Sequence, residues 1–378
     1  MTAAPATDER IEALLLACIE AGDFPSAVYS VAQRGQVYFA GALGDAVRAP
    51  ERRAAGLETI YDLASLTKPL VTGLLCALML ERGRVRLDDA VSLHLPEFDR
   101  EDKRAITLRQ LVTHTSGLPA WRPLYALAES RGHALEVIAS LPLEYEPGAR
   151  VVYSDLGFIT LGLMLARLNG AELPALAARE IFEPLKLRRT FFNPDRAFVT
   201  ETAACESEGN AYEREMCSKE HGVEDFAHFR AGQIWGEVHD GNAHFLGGAA
   251  GHAGLFSTAR ETLSIAEQFL PSRSKLLSPP TCALFRENMT GALNEARSFA
   301  WQLAATSDST AGPRLAPDSF GHLGFTGTSC WIDPAREAVF VLLTNRTHAR
   351  GALPFANINA VRRQFHTLAV EALERDDA

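Results

Sequence analysis

Ala64-Ser65-Leu66-Thr67-Lys68-Pro69 follows Tyr61-Asp62-Leu63 and opens an apolar run that keeps helical spacing as far as Arg82. A proline in a first helical turn costs little, because the N–H it lacks would have no intrahelical partner there. Ser65 and Lys68, three apart, share one face of that turn, with Cβ atoms about 5–6 Å apart. A serine hydroxyl is a poor nucleophile at neutral pH and needs a base beside it. A lysine amine can be that base only if its pKa falls. The partial positive charge of a helix N-terminus pushes it down and favours a developing alkoxide. The plainer alternative makes Ser65 an N-cap and Lys68 a solvated first-turn residue. A second copy of the spacing, Ser272-Arg273-Ser274-Lys275, lies between Pro271 and Ser278-Pro279-Pro280, where no helix would hold its geometry.

Outward from this turn the pattern changes twice. Glu9–Ala21 carries Ile11, Leu14, Leu15 and Cys18 at helical spacing and is stopped by Gly22-Asp23-Phe24-Pro25. The runs 27–32 and 37–40 flank Arg34-Gly35 and read as a hairpin. Helical stretches follow at 108–114, 155–168 and 173–182. Residues 200–245 are polar and without period, and read as a long surface loop or lid. Strand-like runs return at 254–257, 324–332 and 338–344, and 355–374 closes the chain as an amphipathic helix. Strands at both ends with helices between them predict an α/β domain from 1–62 and 246–378 and a mainly helical insertion, 63–245. A cleft between two such lobes is the expected place for a site.

The 378 residues carry 37 basic and 47 acidic side chains, a formal charge of −10, with 47% hydrophobic and 22% charged residues. That is apolar enough for a large core and excludes a mostly disordered chain. An acidic balance without basic blocks argues against nucleic acid or an anionic membrane as partner. Met1–Glu12 lacks the pattern of a secretory signal, and Leu70–Leu80 falls short of the ~20 residues that span a bilayer. Six cysteines are scattered without a metal or disulfide spacing, Cys205 and Cys217 being the only pair close in sequence. They read as buried thiols of a reducing compartment, and the expected location is the cytoplasm. His239, Asp240, His244 and His252 include metal-ligand types but match no zinc signature, so 236–254 reads as a loop beside a site. No metal and no cofactor is expected.

Two more segments bear on the chemistry. Val152-Tyr153-Ser154-Asp155-Leu156-Gly157 opens a helix, and a phenol fixed there could pass a proton between Ser65, Lys68 and a leaving group; a core aromatic is the alternative. Gly321-His322-Leu323-Gly324-Phe325-Thr326-Gly327-Thr328 leads a late strand whose N–H groups could hold an oxyanion, or it is a glycine-softened edge and nothing more. His114, in His-Thr-Ser-Gly, reads as a loop-fixing hydrogen-bonder and Ser116 as a turn residue.

In this order, Ser65-x-x-Lys68, Tyr153-x-Asp155 and His322-x-Gly324 resemble the serine β-lactamase and penicillin-binding-protein superfamily. The tyrosine version looks like its branch of class C β-lactamases, D-alanyl-D-alanine carboxypeptidases and esterases. Leu111–Pro119, Gly251–Thr258 and Leu342–Arg346 agree, so the resemblance runs from about Phe24 to about Arg363. It implies an antiparallel sheet flanked by helices. Ser65 would be the acylated nucleophile and Lys68 its general base. Tyr153 would protonate the leaving group, and the Ser65 and Phe325 amides would form the oxyanion hole. His322 would stand for the usual lysine, hydrogen-bond Tyr153 and carry a pH-dependent charge; an alternative register matches Phe325-Thr326-Gly327 to that motif.

Asp155 replaces the usual asparagine and would pair with Lys68, raising its pKa and weakening it as a base. With Asp155 and Gly324 orienting the site, and Arg346 offered as a replacement carboxylate binder, the expected activity is cleavage of an ester, amide or peptide bond in a small molecule through an acyl-enzyme. β-Lactam hydrolysis is disfavoured. Acyl transfer to an alcohol or amine, or a binding protein without turnover, are the alternatives.

Overall fold

A computed structural model describes residues 5–223, 229–291, 293–349 and 355–376. Ten strands are found among them. β1 (Ser26–Gln33) and β2 (Gln36–Val47) form the expected hairpin, and β3 (Arg53–Ala54) extends its edge. β4 (Tyr61–Asp62), β5 (Phe191–Phe192) and β6 (Leu255–Ser257) make a small second sheet, ordered β4-β6-β5. β7 (Gln302–Leu303), β8 (Phe320–Leu323), β9 (Ser329–Asp333) and β10 (Ala338–Thr344) complete the large antiparallel sheet, ordered β3-β2-β1-β10-β9-β8-β7. The run read as one strand over 324–332 is a strand only from Ser329 on, because Gly324 to Thr328 forms the hairpin turn between β8 and β9.

The sheet closes where the two ends of the chain meet. β1 pairs with β10 from Ala27 opposite Thr344 to Gln33 opposite Ala338. Every residue of both strands is buried, so alternation separates two cores rather than core from solvent. Val28, Ala32, Val339, Val341 and Leu343 face the main core. Ala27, Tyr29, Val31, Phe340 and Leu342 face a second core made with the Glu9–Ala21 and Phe355–Asp376 helices. Each fully buried valine, leucine or phenylalanine contributes roughly 1.5–3 kcal/mol.

The main core is centred on the helix Ala64–Glu81. It is long and apolar enough to cross a membrane, but 83% of it lies buried inside the fold. The helices Asp155–Asn169 and Leu173–Phe182 pack beside it. The segment read as a polar surface loop, 200–245, is better packed than its composition implied. Ala204, Cys205, Cys217, Ile234 and Val238 are buried, and short helices form at Ala211–Met216 and Gly241–Phe245. Its residues 224–228 lie outside the described residues. All six cysteines are buried and unpaired.

Candidate active site

The turn that presents Ser65 is held from three sides. Ala64 adopts φ +48°, a left-handed conformation that a residue with a Cβ enters at a cost. It is fixed there by Asp62, whose Oδ1 accepts from the Ala64 amide at 2.8 Å and whose Oδ2 accepts from the His239 amide at 2.7 Å. Thr67 Oγ1 donates to Ala64 O and accepts from the Leu255 amide. The helix then starts with a tight turn at Ala64–Leu66 and widens over Lys68–Gly73, a local unwinding common at functional sites.

That winding brings Lys68 Nζ to 2.9 Å from Ser65 Oγ. The amine is fully buried, donates to His252 O at 3.2 Å and lies 2.7 Å from Asp155 Oδ1. The carboxylate contact is an ion pair by distance but lies off the direction of a good hydrogen bond. Burial alone presses the ammonium's pKa down. Asp155 and Tyr153 together press harder the other way, and Lys68 stands above the ordinary lysine value. The weakening expected from the Asp155 replacement is therefore built into the site.

Tyr153 precedes the helix Asp155–Asn169, whose N-cap is Ser154. Its ring lies 4.7 Å below Lys68 Nζ and 4.6 Å from the His114 ring. Burial raises the phenol's pKa against the opposing pull of Lys68 and Ser65, so the phenol stays neutral. His114 Nδ1 accepts from the Ser154 amide at 3.0 Å and thereby fixes the loop that carries Tyr153. The second Ser-x-x-Lys copy is on the surface, with Ser272 bonded to Glu337 and no part in the cleft.

Across from Ser65, β8 ends at Leu323 and the Gly324–Thr328 turn docks onto the Ser65 turn. Thr326 Oγ1 donates to Asp62 O at 2.8 Å and Thr328 Oγ1 donates to Leu63 O at 3.0 Å. Gly324 is required by this closeness, since a Cβ there would lie 2.0 Å from Thr328 Oγ1 and 2.6 Å from Leu63 O. His322 lines the same cleft, but not in the expected role. Its ring is 5.7 Å from that of Tyr153, and its Nδ1 contacts Leu323 instead. Burial first, then Lys68 and Arg297, hold its pKa well below the ordinary value, so it is neutral rather than a pH-dependent cation. Its Nε2 has no hydrogen-bond partner among the described residues.

The cleft has a volume of about 410 Å³, enough for a small molecule. Ser65, Tyr153, Asp155, His322, Gly324 and Phe325 line it. Arg346 does not: its guanidinium lies 5.2 Å over the Phe325 ring and donates to Phe325 O, behind the turn. The cleft-lining guanidiniums are Arg297 and Arg362, which the sequence did not single out because neither sits in a periodic or motif-like run. Arg362 donates to Gly324 O and Thr328 O and so ties the C-terminal helix to this turn; burial lowers its pKa to about 9. The loop expected beside the site supplies His239 and Asp240, and the segment before it supplies Tyr212, Glu213 and Met216. Asp240 pairs with His252 Nε2 at 2.8 Å. Asp155, Asp240 and His252 are close enough to hold a metal ion, but the cation seated against Asp155 is Lys68.

A family profile described as Beta-lactamase matches residues 11–362. An Escherichia coli (strain K12) protein named "Putative D-alanyl-D-alanine carboxypeptidase" is 32% identical over 325 residues, 80% of this chain and 72% of that protein. In fold the chain is similar to EstCE1, described as a hydrolase with promiscuous acyltransferase activity (TM-score 0.74, 24% identity, 95% of this chain and 97% of that one). It is also similar to a class C beta lactamase from Rhodobacter sphaeroides (TM-score 0.70, 18% identity, 97% and 100%). Nearly the whole chain, from its first helix to the arginine that anchors the Gly324 turn, thus falls within one pattern, and the protein belongs to the beta-lactamase family as a serine hydrolase.

Proposed function

We propose that the protein cleaves a small ester, amide or peptide through an acyl-enzyme on Ser65. The observation that carries this reading is the buried Lys68 amine 2.9 Å from Ser65 Oγ, beside the Tyr153 phenol. In its unprotonated form Lys68 takes the Ser65 proton as Oγ attacks the carbonyl carbon. The Ser65 and Phe325 amides receive the oxyanion, and Tyr153 protonates the leaving group as the tetrahedral intermediate collapses. Water, deprotonated in turn, releases the acyl group. The relatives' name makes D-alanyl peptides the first peptide substrates to try, and the acyltransferase activity described for EstCE1 makes alcohols worth adding as acyl acceptors. The six unpaired thiols support a reducing compartment such as the cytoplasm.

p-Nitrophenyl butyrate tests the reading. Product should appear with a burst, and mass spectrometry should find a butyryl group on the Ser65 peptide. Folded protein with neither turnover nor adduct would leave a ligand-binding protein as the better description.

Two variants probe the parts. Gly324→Ala forces the turn away from Leu63 and displaces the Phe325 amide; kcat should fall about 100-fold, the size of one lost oxyanion donor. Asp155→Asn removes the larger of the two influences that raise the Lys68 pKa and leaves burial opposed by Tyr153 alone. More of the amine is then unprotonated at neutral pH, so the acidic limb of the kcat/KM profile should move to lower pH. A limb that stays in place would mean that Asp155 does not set the charge of the base.

A further inference from the structure

Of the three carboxylates that line the cleft among the described residues, two have a basic side chain against them. Asp155 has Lys68 at 2.7 Å, and Asp240 has His252 at 2.8 Å. The third, Glu213, forms no ion pair among the described residues, although it is only 7% exposed. Its Oε2 accepts from Asn210 Nδ2 at 3.2 Å and from the Gly241 amide at 3.1 Å, both neutral donors. Its Oε1 meets no donor in hydrogen-bond geometry, although the Tyr125 phenol lies close enough to act on it. A buried carboxylate without a cation is costly unless a partner arrives.

Its surroundings favour one kind of partner. Trp121 and Tyr212 line the cleft with it, and aromatic faces attract cations. The basic groups lie in another neighbourhood, with Arg297 and Arg362 acting on His322, while Glu213 interacts with Asp240 and His239. The cleft is therefore dipolar. Arg297 also lies 5.7 Å over the ring of Tyr153, the proposed donor to the leaving group. This places the leaving-group half of a substrate toward the arginines and the acyl half toward Glu213.

We propose that Glu213, walled by Trp121 and Tyr212, receives a primary ammonium carried by the acyl half of the substrate. The proposal rests on the acyl-enzyme reading above and names the substrate class: an amino-acyl ester or amide. Burial first, and the Asp240 charge next, push the Glu213 pKa up to about 7, with Tyr125 and His239 opposing; Cys217 also faces it. The carboxylate is thus charged above pH 7 and neutral below, and ammonium binding should follow.

The test compares β-alanyl, 4-aminobutyryl and 6-aminohexanoyl p-nitroanilides with their N-acetyl counterparts, with p-nitrophenyl butyrate as a neutral acyl donor. These amines stay protonated through pH 8, as a lysine does. At pH 8 at least one free amine should be preferred in kcat/KM by about tenfold, the worth of one charge-assisted hydrogen bond. The preference should decline toward unity by pH 6 in the unmodified protein. In Glu213→Gln the ratio should collapse at pH 8. Ratios within twofold of unity for all three lengths, or a preference indifferent to pH and to Glu213→Gln, with butyrate still turned over, would overturn the ammonium site alone. Loss of butyrate turnover in the unmodified protein would overturn the acyl-enzyme reading and this proposal with it.

Discussion

Ser65→Ala should lower ester turnover by about 10⁴-fold or more and abolish labelling by a fluorophosphonate probe, while Ser272→Ala leaves both intact. The contrast follows from placement. Both serines precede a lysine by three residues, but only Ser65 has a buried amine within 2.9 Å, whereas Ser272 bonds to Glu337 on the surface. Ser65 is only partly buried, and alanine there removes a single oxygen, so the melting temperature should barely move. Persistent labelling in Ser65→Ala would remove this residue as nucleophile.

Lys68→Met should cost both activity and stability. Methionine fills much of the space of the lysine but takes no proton, so acylation should slow by about 10²–10⁴-fold. It also leaves Asp155 without its cation. Removing one partner of a buried pair costs about 3–5 kcal/mol, and the partial exposure of Asp155 puts the expected loss at about the lower end of that range. Lys68→Arg separates the two effects: a guanidinium keeps the positive charge beside Asp155 but cannot serve as a base. It should stay inactive and unfold at a higher denaturant concentration than Lys68→Met. Equal stability of the two variants would show that the ion pair contributes little to folding.

The parts of the site legible in the sequence are those fixed by local chain geometry. Ser65 and Lys68 share a helical turn, and Tyr153 and Asp155 flank a helix start, so spacing alone brings each pair together. The β1–β2 hairpin and the first and last helices were legible for the same reason. What was not legible depends on which distant segments pack together. Glu213 and Tyr212 lie in a polar stretch without period, and only the pairing of 201–204 with Ile60 and Ala46 and the bonds of Asn210 and Glu213 to 239–241 turn it into a wall of the cleft. Arg346 follows β10 closely in sequence, yet its guanidinium packs over the Phe325 ring and is not among the residues that line the cleft. His322 reaches the cleft as expected, but burial among cations decides its charge, and no motif encodes that.

The turn bearing Ser65 and the turn bearing Phe325 are bridged by Thr326 and Thr328 across more than 260 residues of chain. During synthesis the proposed nucleophile therefore emerges long before the Phe325 amide that would face it. A ribosome-bound chain lacking its last strands has the serine and lysine but no completed cradle for negative charge. Reactivity should switch on late and all at once, making probe labelling a direct clock for the closing of the sheet.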